Sequence, residues 1–190
     1  MRRVLLRFLG ANAIGWLVFL AVVVTGGAVP FLGVPVVFAV TTAWAAGALT
    51  DRIAGRIGFG IATALGLVGS MFGLIGTQGM TGHESASQLL PMVAAVVALN
   101  AVASAVGLMP LGEGLGARSW LFGVLGFSAG ALVGGTLLLL FILAPVRPGP
   151  PFGYFLAVPF GVPMWLPSIG GALAIELTAK RRMDAQTDGS

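Results

Sequence analysis

DRIAGRIGFGIATALGLVGSMFGLIG, residues 51–76, decides how the rest of the chain is read. After Arg52 and Arg56 it carries no charge, while Gly55, Gly58, Ala62, Gly66, Gly69, Gly73 and Gly76 recur every three or four positions. Residues so spaced share one face of an α-helix, which makes the stretch a hydrophobic rod with a flat stripe of small residues. In water each interior Gly would cost such a helix roughly 1 kcal/mol relative to Ala. In lipid the exposed backbone has no water to bond. The chain therefore stays helical, and the glycines let a neighbouring helix come close enough for dispersion contacts to hold the pair. The spacing predicts the central span of a packed membrane bundle, with Gly66, Gly69 and Gly73 as helix-packing positions.

The composition points the same way. Of 190 residues, 57% are hydrophobic and 8% charged, against roughly 25% charged in an ordinary soluble domain. The mean hydropathy is +1.02. A soluble core could not absorb so much apolar surface, whereas lipid can. The net charge of +4 is scattered at the ends of apolar runs rather than gathered in one patch, so nucleic acid is not an expected partner. With no cysteine, disulfides, thiolate catalysis and cysteine metal sites are all removed.

Working outward from the central stretch, apolar runs set six spans at about 8–29, 33–50, 57–77, 89–110, 119–144 and 154–177. The expected fold is all-α: a polytopic membrane protein, one integral membrane domain over residues 1–190 built as a six-transmembrane-helix bundle, with a flexible cytoplasmic tail at 183–190. The first run follows Arg2, Arg3 and Arg7 and is too long for a signal core of about 7–15 residues, so it reads as an uncleaved helix. Pro35 falls in the first turn of the second span, where a missing N–H costs little. The fifth span repeats the small-residue stripe at Ser119, Gly123, Gly126, Gly130 and Gly134, making Gly126 and Gly130 further packing positions.

An even number of spans puts both termini on one side. With that side inside, Arg2, Arg3, Arg7, Arg52, Arg56, Arg118, Lys180, Arg181 and Arg182 are internal and only Arg147, of ten Lys plus Arg, is external. This is the positive-inside bias, and adding or dropping a span would destroy it. The expected location is the cell membrane, multi-pass, with N-in/C-in topology.

Few polar groups lie within the runs. Asn12 and Glu176 fall near the inner ends of the first and last spans, and Asn100 near mid-bilayer, where an Asn commonly bonds to a neighbouring helix. His83 and Glu84 sit together in the longest polar interval but make no ligand set, so no metal site is expected. Ser70, Ser104 and Ser128 have no base at membrane depth, and no phosphate-cradling motif occurs. An enzyme is therefore not expected, nor a cofactor. Pro159, Pro163 and Pro167 recur at intervals of four and predict a bent, broken or re-entrant outer half of the last span.

VPFLGVPVVF at residues 29–38, AGALTDRIAGRIG at 46–58 and VPMWLPSIGGALAIELTAKRR at 162–182, set in six spans with cytoplasmic ends, resemble the membrane-embedded substrate-capture components of energy-coupling factor vitamin transporters, the biotin-type members most nearly. The resemblance implies that Ala11 and Gly15, a small-xxx-small pair on the first helix, dock a separate membrane coupling subunit. It also implies that the first outer loop, about residues 26–35, covers a ligand near the outer face. The chain departs from the biotin-type pattern at Ile169 and Ala172, where an acidic and then a basic residue follow the Pro.

Two functions follow. The first is the small-molecule-binding membrane component of a transporter, with Gln78, His83, Arg147 and Tyr154 as candidate substrate contacts, a small-molecule ligand, and other membrane subunits as partners. The second is a non-catalytic accessory or assembly subunit whose glycine and alanine stripes pack against a larger membrane complex.

Overall fold

The computed structural model describes residues 1–25, 28–76, 86–142 and 165–179, and all of their regular structure is helical, with no strand among them. The elements are α1 (Arg2–Thr25), α2 (Ala28–Ala45), a single 3-10 turn (Ala46–Ala48), α3 (Ile53–Gly76), α4 (Ala86–Gly107), the short α5 (Met109–Leu115), α6 (Ala117–Ile142) and α7 (residues 165–179). Three stretches, Arg2–Ala21, Ile53–Ser70 and Ala117–Leu137, are long and apolar enough to cross a membrane. The pair Val93–Gly107 and Met109–Leu115 makes a fourth if its 55° bend is counted within one span. The apolar helical stretch Gly33–Ala48 is shorter.

The boundaries differ from the apolar runs where proline was misjudged. Helix α2 begins at Ala28 rather than Gly33, so Pro30 occupies the tolerated first turn and Pro35 lies inside the helix. The residues between them are apolar and simply continue the rod. The fourth run extends to Pro110 as a pattern, but the helix stops at Gly107. Pro110 instead opens α5, where its missing N–H is one the helix start leaves unbonded anyway. Gly116, at φ 93°, ends α5 in a conformation that L side chains rarely adopt and turns the chain into α6. Pro167 lies within the described helical residues 165–179 of α7. Pro159 and Pro163, and the tail at 183–190, lie outside the described residues.

The helices close a ring. α1 packs on α2, α2 on α3, α3 on α4, and α4 on α6. α6 meets α7 where Gly126 and Gly170 approach backbone to backbone. α7 returns to α1 through Asn12 and Ser168 and through the rings of Trp16 and Trp165. Helices α1, α2, α3, α4 and α6 turn aliphatic side chains outward. On α3 that face is Ile53, Ile57, Ile61 and Leu65, each between 45% and 71% exposed, spaced by four along one side. Leu99, Val102 and Val106 on α4 and Leu121, Leu125 and Leu132 on α6 do the same. So much exposed aliphatic surface, distributed over several helices, suits lipid rather than water.

The buried polar side chains fit that solvent. Asn12, Thr42, Thr63, Asn100, Ser104, Ser119 and Ser168 are buried. Six donate to a carbonyl three or four residues earlier on their own helix, Asn12 to Phe8, Thr42 to Phe38, Thr63 to Phe59, Asn100 to Val96, Ser104 to Ala101 and Ser168 to Trp165, and Ser119 of α6 reaches back past Gly116 to the Leu115 carbonyl at the end of α5. Such back-bonding satisfies a hydroxyl or amide without help from water.

Candidate functional site

The interior falls into two parts. One cluster, at the end of the ring where α1 and α3 start, is tight: Val4, Phe8, Ala11, Phe59, Leu108, Leu111, Phe127, Ala172 and Ile175 are all nearly or wholly buried. At its centre the Phe59 ring lies 4.9 Å from that of Phe8 and 5.2 Å from that of Phe127, at interplanar angles of 57° and 53°. Rings tilted at these distances present edges to faces, the favourable arrangement of their quadrupoles. Because the three come from α1, α3 and α6, they plug the ring from three sides.

Around the rim of the plugged end stand the arginines. The Arg7 guanidinium lies 5.5 Å from the Trp44 ring centroid and Arg118 lies 5.7 Å from that of Phe122. Arg56 donates to the Thr50 carbonyl at 2.9 Å and pairs with Asp51 at 3.3 Å, packing over Gly47, where any side chain would press on the guanidinium. Arg52 lies over Gly114 of α5. The Met1 amino group pairs with Glu176, bringing the start of α1 to the end of α7. A shallow groove of about 360 Å³ between Met109, Gly112, Glu113, Ala117 and Trp120 opens beside α5 at this end.

The second cluster lies farther along the ring. Val34, Phe38 and Leu67 are buried, and Trp16, Val18, Phe19 and Trp165 gather around them only partly buried. The Trp16 and Trp165 rings meet edge to face, 6.3 Å between centroids at 85°. Between the clusters sits one polar link across helices. Asn12 Nδ2 donates to Ser168 Oγ at 3.1 Å as well as to the Phe8 carbonyl at 2.7 Å. A second link joins α4 to α3, with Asn100 Nδ2 donating to Ser70 Oγ at 3.2 Å.

The candidate residues read from the sequence are distributed as follows. Gln78, His83, Arg147 and Tyr154 lie outside the described residues. Ala11 and Gly15 are buried within the ring, and a side chain on Gly15 would fall 2.8 Å from the Phe38 ring of α2. That face is filled by the chain itself, so the pair packs internally in this structure. A side chain on Gly66 would meet Asn100 Oδ1, and one on Gly69 would come 2.9 Å from Leu99 Cβ, both on α4. Gly73 lies in the last turns of α3. Gly126 and Gly130 face α7, where added atoms would meet Gly170 and Leu166 carbonyls.

Sequence reasoning missed Phe8, Phe59 and Phe127, because a phenylalanine in an apolar run carries no periodic mark that separates a central ring from a lipid-facing one. It also missed Trp16 and Trp165, though tryptophan is scarce enough here, four in 190 residues, to have been followed. Among the described residues no group of three His, Asp or Glu side chains is placed to hold a metal ion. Comparison with protein-family models, curated proteins and solved structures gave no match.

Proposed function

We propose that the chain crosses the bilayer six times, with the arginine-rimmed end on the cytoplasmic side of the cell membrane, and that it is the small-molecule-binding membrane component of a transporter. The division of the interior carries the proposal. The cytoplasmic half is closed by three interlocked phenylalanines, while the opposite half is walled by tryptophans that are only partly buried. A capture component needs such an asymmetry: sealed toward the cytoplasm, receptive toward the outside. Lacking a phosphate-cradling motif, the chain depends on other subunits for energy. Those subunits would meet it at the cytoplasmic end or along the exposed helix faces, since Ala11 and Gly15 are covered.

The test uses the chain purified alone in detergent, with unfolding followed while a panel of vitamins is added. A ligand at a hundred times its Kd stabilises by about 2.7 kcal/mol. Stabilisation by one compound is the expected result, and silence across a broad panel counts against capture.

The satisfied state of the buried polar groups favours a second function. Asn12, Thr42, Thr63, Asn100, Ser104, Ser119 and Ser168 are uncharged and each donates to a backbone carbonyl three or four residues earlier in the chain, which suits an accessory subunit of a larger membrane complex that handles no ligand. Co-purification of one stoichiometric membrane partner, with no response to small molecules, would support that alternative.

A further inference from the structure

Among the described residues the rim carries seven cations, the Met1 amino group and Arg2, Arg3, Arg7, Arg52, Arg56 and Arg118, against three carboxylates, Asp51, Glu113 and Glu176. Asp51 is taken by Arg56 and Glu176 by the Met1 amino group. No carboxylate of the described residues pairs with Arg3 or Arg7. These two arginines head a lipid-facing stripe. Arg3, Arg7, Gly10, Ile14 and Leu17 follow one another at intervals of four and three, so they share one side of α1. Ile14 and Leu17 are exposed, and Gly10 has nothing within 4 Å of where its Cβ would stand. On α2 a second stripe, Val36, Val40 and Trp44, is spaced by four, each residue at least 60% exposed. The Arg7 guanidinium, 5.5 Å from the Trp44 ring centroid, joins the heads of the two stripes. Stacking on an exposed ring holds this half-buried cation at the edge of the aliphatic face. Arg3, one turn earlier, sets a like charge beside it, which is unfavourable until an anion comes between them.

We propose that Arg3, Arg7 and Trp44 form a headgroup site for an anionic phospholipid of the leaflet at this end of the ring. The phosphodiester lies between the two guanidiniums, whose planar forks match phosphate oxygens. One acyl chain follows Gly10, Ile14 and Leu17, and the other Val40 and Val36. A soluble anion would neutralise the arginines but leave both aliphatic stripes uncovered. A zwitterionic lipid would bring an ammonium group to a place where the second arginine repels it and no free carboxylate receives it. Arg118 also stacks on a ring, that of Phe122, but the positions one turn on, Leu121 and Phe122, carry no second cation. Beside it the groove at Ala117 holds Glu113. The rim is therefore not uniform, and the α1–α2 side is the part built for an anion with tails. The proposal takes from the function above only that this end lies at a membrane surface, and ligand capture plays no part in it.

The full chain is reconstituted in phosphatidylcholine vesicles containing a minor fraction of a lipid brominated in its acyl chains. Bromine quenches a tryptophan it touches, and the part of the quenching lost in Trp44→Phe reports on Trp44. Brominated phosphatidylglycerol is expected to quench Trp44 more than brominated phosphatidylcholine or phosphatidylethanolamine at the same fraction. Arg7→Gln and Arg3→Gln should each lower that preference about fivefold, the factor that corresponds to about 1 kcal/mol per arginine near an anionic surface. Arg118→Gln should leave it unchanged. Equal quenching by the three lipids in the wild type overturns the proposal, and this comparison needs no variant. An equal fall in all three arginine variants means a diffuse surface charge and overturns the site. Displacement of brominated phosphatidylglycerol by soluble glycerol phosphate means that the occupant is a free anion, and overturns the lipid. Should R7Q fold poorly, R3Q, at the exposed start of α1, keeps the comparison with R118Q decisive. A silent vitamin panel would sink capture and leave this site standing, whereas equal quenching would do the reverse.

Discussion

Gly58 and Gly107 face each other where α3 crosses α4, and substituting either by Ala tests whether backbone contact holds the ring together. A Cβ on Gly107 would sit 2.6 Å from the Gly58 carbonyl oxygen and 2.7 Å from Ala62 Cβ. A Cβ on Gly58 would run into the Gly107 carbonyl oxygen. Carbon needs about 3.5 Å, so the helices must part by about 0.8 Å, and a gap of that size forfeits a quarter to a half of each dispersion contact along the seam. Overpacking costs about 1–3 kcal/mol, and the upper figure applies because the obstacle is backbone, which has no rotamer to change. Gly10 is the control. Nothing lies within 4 Å of its Cβ direction, so Gly10→Ala should gain up to about 1 kcal/mol from helix propensity alone. Both variants share the propensity gain, so G58A should be less stable than G10A by the overpacking cost, about 3 kcal/mol. Unfolding of the purified protein in mixed detergent and SDS, followed by circular dichroism, measures both. The double variant G58A/G107A should lose less than the sum of the singles, because one Cβ has already parted the helices. Equal shifts for G58A and G10A, or strict additivity in the double variant, would refute a backbone seam.

The cross-helix bond from Asn100 to Ser70 should be worth about 0.6 kcal/mol, and at most about 1.7, the range for interhelical bonds in membranes; a double-mutant cycle of N100A and S70A measures it, and a coupling near zero would reduce Asn100 to its own-helix bond with Val96. Phe59→Ala removes the ring shared by Phe8 and Phe127 and should cost about 3–5 kcal/mol, against much less for Phe59→Leu, in the same unfolding assay. Because the chain has no cysteine, single substitutions report their own side of the membrane. Glu113→Cys and Ala117→Cys, beside the arginines, should react with an impermeant maleimide only after the cells are opened, and His83→Cys before. The reverse pattern would turn the proposed topology over.

Much of this architecture could be read before any coordinates, and the reasons are local. The stripe from Gly55 to Gly69 is visible as spacing, because close approach demands small residues at helical intervals, and Gly58, Gly66 and Gly69 do lie against α4. The alanines of α4, Ala94, Ala98, Ala101 and Ala105, have the same spacing without the same meaning. Ala94 and Ala98 are exposed, while Val93, Asn100, Ala103 and Gly107 face inward. Alanine is tolerated on a lipid face as well as in a seam, so its period alone does not tell which way it points. Proline misled in the same manner. Pro30, Pro35 and Pro110 all interrupt apolar runs, but only the neighbouring geometry decides whether a proline opens a helix or sits within it. The candidate site was least legible, since the plug and the tryptophan pair are made by residues from α1, α3, α6 and α7 that are far apart in the chain.

The way polar groups are satisfied here bears on what the protein can bind. A hydroxyl or amide bonded to its own helix stays satisfied when neighbouring helices shift, so Thr42, Thr63 and Ser104 place no constraint on how the ring breathes. Links that do cross between helices include Asn12 to Ser168, tying α1 to α7, Asn100 to Ser70, tying α4 to α3, and Trp120 to the Ala105 carbonyl, tying α6 to α4. The first of these lies between the sealed cluster and the tryptophan cluster. Opening the tryptophan half by moving α7 away from α1 therefore strains one amide–hydroxyl pair before it disturbs the three phenylalanines. Asn12→Leu should loosen that half while leaving the plug intact. Hydrogen–deuterium exchange at 165–179 should then rise relative to 53–65 of α3, whereas a uniform rise across both would mean that the two halves are one cooperative unit and that no separate chamber exists.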